Sequence, residues 1–443
     1  MPNARPEPWP FRALVAPFQA YLRTEAKGGI LLLLAALVAL GMANSPWHTQ
    51  WRDLWELHLE VGPADLSLEA TLHFVINDVL MALFFFVVGL EIKRELVRGE
   101  LRSPSQALLP GVAALGGMAV PALLYLAFQG GGEGSRGWAI PMATDIAFSI
   151  GCLTLLGSRV PHGLKVFLTA LAIFDDIGGI LVIALFYGTG IQGSGLVAVA
   201  VAAAAVLFLN RLDVQSAGPY LAGGVGLWFA FHAAGLHATL AGVVLGLLVP
   251  ARGRRTPEEV LAELKVGLDD AVARRVQPTA DQIAAVGRAL AEVSTPLDRF
   301  EYAVHGWVAY GVMPLFALAN SGVHLSALSS GDLLSPVFLG TVVGLFVGKT
   351  VGIFAFTRGA VAVGLARVPA GAPWGQVLGV SAVAGIGFTV ALFIANLAFA
   401  GAPVLLDEAR LGILVGSAVS GTVGVLLLRV ASAPAAAASP AVA

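Results

Sequence analysis

Long apolar runs, separated by short polar stretches, repeat along the chain from residue 28 to residue 430. A helix needs about 20 mostly apolar residues to cross a bilayer, and this pattern predicts an all-α membrane protein with about 12 transmembrane helices. The runs, numbered segments 1 to 12, lie near residues 28–44, 70–90, 105–128, 139–157, 163–187, 192–209, 217–232, 236–250, 301–323, 333–357, 376–399 and 409–430. Segments 7 and 8 are short for a full crossing.

Four stretches lie outside these segments. Residues 1–27 are polar and rich in proline, which predicts a cytoplasmic N-terminal segment rather than a cleaved signal peptide. Residues 45–69 alternate between polar and apolar positions around Gly62 and Pro63, as expected of a β-hairpin in a periplasmic loop. Residues 251–300 are charged and resemble a helix start at Pro257, which predicts a cytoplasmic insert. Residues 431–443, composed of Ala, Pro, Ser and Val, predict a disordered tail.

Composition supports the membrane assignment. The chain has 443 residues, of which 57% are hydrophobic and only 12% charged, and these values exclude a water-soluble domain. A formal net charge of -2 without a basic cluster gives no indication of a nucleic-acid partner. Cys152 is the single cysteine, so no disulfide can form within the chain.

The basic residues predict the orientation, because loops rich in Lys and Arg stay in the cytoplasm. If the N-terminus is cytoplasmic, only Arg52, Arg136 and Arg410 of the 26 Lys and Arg residues fall on the outer side, and Lys349 lies within an apolar segment. The pattern therefore predicts that both termini face the cytoplasm.

Ionisable residues within the apolar segments mark the candidate site, since each one costs roughly 3 kcal/mol to insert. They are Asp78 and Glu91 in segment 2, Asp145 after Thr144 in segment 4, Asp175 and Asp176 in segment 5, and Lys349 in segment 10. Hydroxyl and carboxylate oxygens suit a hard cation, whereas copper, iron and zinc prefer sites that include His or Cys. The predicted cargo is a small cation or a proton.

The adjacent acids Asp175 and Asp176 suggest how two cargoes could be coupled. Two neighbouring carboxylates in a low dielectric cannot both ionise cheaply, so protons and a metal cation would compete for them. Lys349 is the natural counter-charge. Helix breakers at the same depth, namely Pro141, Gly385 and Gly387, predict interrupted helices whose free ends need charge compensation.

From segment 1 to segment 12 the chain resembles the NhaA-type sodium/proton antiporter family, and seven stretches carry the resemblance. They are 84–96 (FFFVVGLEIKREL), 141–151 (PMATDIAFSIG), 168–179 (LTALAIFDDIGG), 237–242 (HATLAG), 307–322 (WVAYGVMPLFALANSG), 348–349 (GK) and 385–389 (GIGFT). The resemblance implies inverted-topology repeats formed by segments 3–5 and 10–12 within a transmembrane domain of residues 28–430. It also implies that segments 4 and 11 are unwound and cross at the midplane.

The resemblance also implies roles for the residues of the site. Asp175 and Asp176 would bind Na+ and carry protons, with Asp175 alternating between Lys349 and a proton. The helix crossing would contain Thr144, Asp145, Gly385 and Gly387. Cytoplasmic Na+ or Li+ would be exchanged for more than one external proton, so that transport is electrogenic and serves sodium and pH homeostasis.

Further implications concern regulation and assembly. A response to pH would involve residues at the cytoplasmic entrance and one further histidine, His237. The other residues are Asp78, Glu91, Arg94, Glu95, Glu301 and His305. The protein would be a homodimer that contacts its partner through the outward hairpin, in a bacterial inner membrane and surrounded by lipid. It would be a transporter rather than an enzyme and would need no cofactor.

Two other functions fit an acidic membrane protein less well. A sodium-coupled symporter for an organic anion needs cationic or polar ligands for the anion, and only Lys349 is available for that role. An intramembrane aspartyl protease needs two acids facing one scissile bond, an arrangement that adjacent residues on one helix do not easily adopt. A structural or channel role is formally open, although a channel needs no titrating counter-charge.

Overall fold

The computed structural model describes residues 27–61, 68–188, 190, 192–253, 258–260, 262, 265, 293–325, 334–369 and 371–432. The predicted N-terminal segment, most of the charged insert and nearly all of the predicted tail lie outside these residues.

Helices make up nearly all of the described residues, in agreement with the prediction. In chain order they are α1 (Lys27–Ala43), α2 (His48–Trp55), α3 (Leu72–Arg98), α4 (Pro104–Gln129), α5 (Ile146–Leu155), α6 (His162–Phe186), α7 (Gly193–Arg211), α8 (Ala217–Ala233), α9 (Leu240–Leu248), α10 (Pro296–Asn320), α11 (Pro336–Ala362), α12 (Trp374–Val383), α13 (Phe388–Ala398) and α14 (Pro403–Ala431). A 3-10 helix, Glu133–Met142, precedes α5.

Among the described residues, seven helices are long and apolar enough to cross a membrane, namely α3, α4, α6, α7, α10, α11 and α14. Two bent pairs raise this number to nine if each pair is one span: Glu133–Met142 with α5, bent by 43°, and α12 with α13, bent by 44°. Each predicted segment contains a helix, but α8 has 17 residues and α9 only 9. Both fall short of the roughly 20 residues of a full crossing.

The alternating residues before α3 form two antiparallel strands, β1 (His58–Val61) and β2 (Leu68–Thr71), in which His58 lies opposite Thr71. Thr71 also begins α3, because its hydroxyl accepts a hydrogen bond of 3.1 Å from the backbone N–H of Phe74. The strand pair therefore leads directly into a membrane helix.

The chain forms two compact units. Of the described residues, one unit contains those up to Met81, those in Glu100–Gly188 and those from Ala309; the other contains those in Ala82–Gly99 and Thr189–Val308. The first unit includes both bent pairs, α4, α6, α11 and α14. The acids of segments 4 and 5 and Lys349 therefore belong to one unit.

Glycines allow α4 and α11 to approach each other closely within the first unit. A Cβ atom on Gly116 would overlap the carbonyl oxygen of Gly352, and a Cβ atom on Gly352 would overlap the carbonyl oxygen of Gly116. A Cβ atom on Gly348 would lie 2.6 Å from Cα of Pro121. Small residues permit such backbone contact in membranes, and here the contact holds Lys349, the next residue, in the interior.

We predict that Gly352→Ala destabilises the protein by about 2 kcal/mol or more, because the added methyl group forces α4 and α11 apart. Gly359→Ala on the same helix is the matched control, since a Cβ atom there meets no atom within 4 Å. Denaturant titration in mixed detergent micelles measures both variants. Equal stability of the two variants would contradict the close approach.

Candidate functional site

Two helix breaks form the centre of the first unit. At residues 143–145 the chain is extended between the 3-10 helix and α5. At residues 384–387 a turn separates α12 from α13. A Cβ atom on Gly385 would overlap the carbonyl oxygen of Leu345, so packing rather than an unusual backbone angle requires glycine there.

The side chain of Asp145 caps two half-helices at once. Its Oδ1 accepts a hydrogen bond of 3.1 Å from the backbone N–H of Phe148, at the start of α5. Its Oδ2 accepts one of 3.1 Å from the backbone N–H of Thr389 and one of 2.6 Å from the Thr389 hydroxyl, at the start of α13. An anion at a helix N-terminus is stabilised by the free N–H groups and by the helix dipole, and one carboxylate provides this for both helices.

The carbonyl groups around the end of α12 are satisfied by the other break. The backbone N–H of Asp145 donates to the carbonyl oxygen of Ile386 at 2.6 Å, and the Ser149 hydroxyl donates to that of Val383 at 3.2 Å. The Thr144 hydroxyl lies 2.8 Å from the carbonyl oxygen of Ala384. Buried backbone groups left without partners are costly, so the two breaks stabilise each other.

Lys349 and Asp175 form a fully buried ion pair beside this junction. Lys349 has no exposed surface and Asp175 is 2% exposed. The lysine ammonium group donates to Asp175 Oδ2 and to the Thr144 hydroxyl, and that hydroxyl lies 2.6 Å from Asp175 Oδ2. Lys349 directly follows a π-helical turn, Gly344–Gly348, a local widening often found at functional sites.

The second oxygen of Asp175, Oδ1, is buried and accepts no hydrogen bond from any described residue. A carboxylate oxygen without a donor is costly in a dry interior. Asp176, the next residue on α6, is also buried, with 7% of its surface exposed. The adjacent acids thus provide oxygen atoms of a kind that can bind a hard cation or a proton.

The residues predicted to respond to pH lie on α3, on α10 and before α9. Within the second unit, Arg94 forms ion pairs with Glu301 and, at 3.6 Å, with Glu95. His305 lies one helical turn after Glu301. The others are placed as follows: Glu91 is buried on α3, Asp78 lies in a π-helical turn of α3 at Val75–Leu80, and His237 lies three residues before α9 begins.

The sequence did not predict Thr389 as a site residue, although Thr389 lies in the stretch 385–389 that resembles the family. Gly387 occupies the N-cap position of α13 and has no side chain that could cap the helix. That gap is a signal that another residue must provide the acceptor. Which residue does so depends on contacts between distant segments and cannot be read from spacing.

Among the described residues, no group of three or more His, Cys, Asp or Glu side chains could hold a metal ion.

The chain is similar over nearly its whole length to proteins of one family. The family model described as Na+/H+ antiporter 1 matches residues 19–428. The chain is 54% identical over 432 residues to the Na(+)/H(+) antiporter NhaA 1 of Myxococcus xanthus, covering 97% of this chain and 96% of that protein. It is 53% identical over 425 residues to the Na(+)/H(+) antiporter NhaA of an Anaeromyxobacter species, covering 95% and 92% of the two chains.

A third relative, the Na(+)/H(+) antiporter NhaA of Rhodopirellula baltica, is 47% identical over 422 residues, covering 95% of each chain. These matches agree with the apolar helices, which are those of a multi-pass membrane protein. They also confirm the resemblance found in the sequence motifs. The chain belongs to the NhaA-type Na+/H+ antiporter 1 family.

Proposed function

We propose that this protein exchanges cytoplasmic Na+ or Li+ for external protons, with Asp175 and Asp176 as the shared binding site. The observation that carries the proposal is the buried Lys349–Asp175 ion pair next to a second buried acid. The relatives, which are named as Na(+)/H(+) antiporters, support sodium/proton exchange. The chemistry of the site supports the proposed cation, stoichiometry and residues.

Competition at the two acids couples the fluxes. Na+ competes with the ammonium group of Lys349 for Asp175 and with a proton for Asp176. Asp175 Oδ1, which has no hydrogen-bond donor among the described residues, is available to such a cation. The remaining ligands would be hydroxyl, carbonyl or water oxygens, which hard cations accept. If the binding site changes its exposure from one side of the membrane to the other only when it holds Na+ or protons, Na+ and protons are transported in opposite directions.

The proposed exchange is electrogenic. When Na+ occupies Asp175, Lys349 loses its counter-charge, and a buried lysine without one releases its proton readily. Together with the proton from Asp176, two protons then leave for each Na+ that binds. Each net charge moved is worth about 2.3 kcal/mol per 100 mV of membrane potential, so the potential drives Na+ out of the cell.

The finer architecture is part of the proposal. We infer twelve spans, with α1, α8 and α9 completing the nine that length and composition support, and with both termini in the cytoplasm of a bacterial cell. The breaks at residues 143–145 and 384–387 would be related parts of two inverted repeats that cross at the midplane. The hydrogen bonds between the breaks support the crossing.

Regulation by pH is proposed for the groups on α3 and α10. The Arg94–Glu301 ion pair joins these two helices within the second unit and includes one titratable carboxylate. Protonation of Glu301 would remove the charge that holds Arg94. A homodimer is proposed at β1 and β2, because a lone two-stranded sheet is marginally stable.

The test uses inverted membrane vesicles with an imposed proton gradient and a pH-sensitive dye. We predict that NaCl or LiCl dissipates the gradient with the unaltered chain and that Asp176→Asn abolishes this effect, because the amide can neither ionise nor carry the proton. Asp213→Asn is the matched control: Asp213 is an exposed turn residue, and asparagine tolerates its φ of 53°.

Dissipation by Asp176→Asn at the rate of the control would exclude Asp176 from the site. If neither cation has an effect on the unaltered chain at any pH from about 6 to 9, a range that brackets the response expected of a histidine or a perturbed acid, exchange itself is the wrong function. Transport of an organic anion with sodium would then be examined.

A further inference from the structure

A cavity of about 490 Å³ lies in the first unit, away from the ion pair. It is formed beside α2, where α1 and α10 end and where α3 and α14 begin. The cavity wall includes Trp55 from α2, His73 from α3 and Arg410 from α14. Its volume could hold a group considerably larger than a bare cation.

Two hydrogen-bond donors on this wall are buried and have no acceptor among the described residues: the indole N–H of Trp55 and the Nε–H of Arg410. The rest of the Arg410 guanidinium is bound loosely. Its Nη1 lies 3.5 Å from Asp407 Oδ1, and its Nη2 donates to Asn396 Oδ1 at 3.0 Å. A buried guanidinium without a full set of acceptors is costly, so a further acceptor at this position would be stabilising.

The charges around the cavity do not oppose an anion. Arg52 and Arg410 balance Glu56 and Asp407, and the other ionisable side chains on the wall are those of three histidines, His48, His73 and His324. The carboxylates can only accept hydrogen bonds when ionised, whereas the guanidinium and the indole can only donate them. The unpartnered groups are both donors, so the missing ligand atoms are acceptors.

We propose that this cavity binds an oxyanion, a phosphate or carboxylate group, through Nε of Arg410 and Nε1 of Trp55. Arginine presents a planar fork of donors that matches such groups, and the indole N–H adds a neutral donor. The group could belong to a lipid headgroup, since the cavity lies at the ends of apolar helices long enough to cross a membrane, or to a soluble ion. This proposal is independent of sodium/proton exchange.

The anion would also act beyond the cavity through a chain of hydrogen-bonded side-chain amides. Arg410 is linked through Asn396 to Asn320 at 2.7 Å, and Asn320 donates to Asn77 at 2.9 Å. Asn77 lies in the π-helical turn of α3, next to Asp78. An oxyanion that fixes Arg410 would therefore steady the start of α3.

The test measures thermal unfolding of the full chain in a neutral detergent at constant ionic strength. Inorganic phosphate and a short-chain phosphatidylglycerol are titrated separately, with chloride as the reference. We expect a saturable rise in the unfolding midpoint with at least one phosphate compound. Trp55→Phe, which removes one neutral hydrogen bond to a charged group and keeps the ring, should weaken binding about tenfold. Trp47→Phe is the matched control, since Trp47 is 62% exposed and lies outside the cavity wall.

Arg410→Gln should abolish the rise, and if that variant does not fold, Trp55→Phe alone decides. Stronger binding of the phosphatidylglycerol identifies a lipid headgroup as the ligand, and equal or stronger binding of inorganic phosphate identifies a soluble ion. No saturable rise beyond chloride with either compound, or equal binding by Trp55→Phe and Trp47→Phe, would overturn the proposal. Because binding is measured without transport, either result leaves the exchange function to its own test.

Discussion

Replacing Lys349 by methionine is expected to destabilise the protein by about 3 to 5 kcal/mol, the usual cost of leaving one partner of a buried ion pair without its counter-charge. The expected loss is large because Asp175 is 2% exposed and its Oδ2 is the acceptor for both Lys349 and Thr144. Denaturant titration in mixed detergent micelles measures the change. Lys27→Met, at an exposed lysine, should leave stability nearly unchanged.

A second substitution separates the loss of the pair from a simple loss of packing. In the double variant Lys349→Met with Asp175→Asn, neither partner carries a charge, and most of the lost stability should return. Exchange should still be absent in the double variant, because one of the two proposed binding acids is gone. If the loss of unfolding free energy in the double variant equals the sum of the losses in the two single variants, the charges do not interact and the pair has no part in stability.

Replacing Asp145 by alanine is expected to cost about 4 kcal/mol, because three buried donors on two helices lose their acceptor at once. These donors are the N–H groups of Phe148 and Thr389 and the hydroxyl of Thr389. The unfolding midpoint of the detergent-solubilised protein should fall strongly. Exchange should fall with it, since the breaks hold Thr144 against Asp175.

Two further variants make this expectation specific. Asp145→Asn keeps one acceptor oxygen and should have an intermediate stability. Asp53→Ala makes the same change in an exposed ion pair with Arg52 at 3.5 Å, and such pairs contribute little. A similar stability for Asp145→Ala and Asp53→Ala would show that the shared cap does not stabilise the breaks.

The positions of the helices follow from the sequence because a lipid environment allows few alternatives. The apolar run predicted near 105–128 is the helix Pro104–Gln129, and that near 163–187 is His162–Phe186. The run near 236–250 yields only Leu240–Leu248. The hydropathy pattern reflects the number of apolar residues and not where helical hydrogen bonds begin. It therefore does not predict the turn at residues 237–239.

The residues of the candidate site could be proposed from the sequence, whereas the contacts between them could not. Asp175 and Lys349 stand out because charges are costly in apolar segments. The two residues lie 174 positions apart in the chain. Their pairing depends on the close packing of α4 and α11. The second cap made by Asp145, on Thr389, is set by a contact between residues 244 positions apart. Residue type therefore indicated the chemistry, while partner choice required the fold.

The shared cap also limits how fast the protein could work if its helices moved separately. A transport cycle that parted the two breaks would lose the two hydrogen bonds that Thr389 donates to Asp145 and the one that the Asp145 N–H donates to Ile386 on every turnover. An added barrier of about 4 kcal/mol slows a step roughly a thousandfold. For the proposed exchange we therefore expect α5 and α13 to move together as a single body.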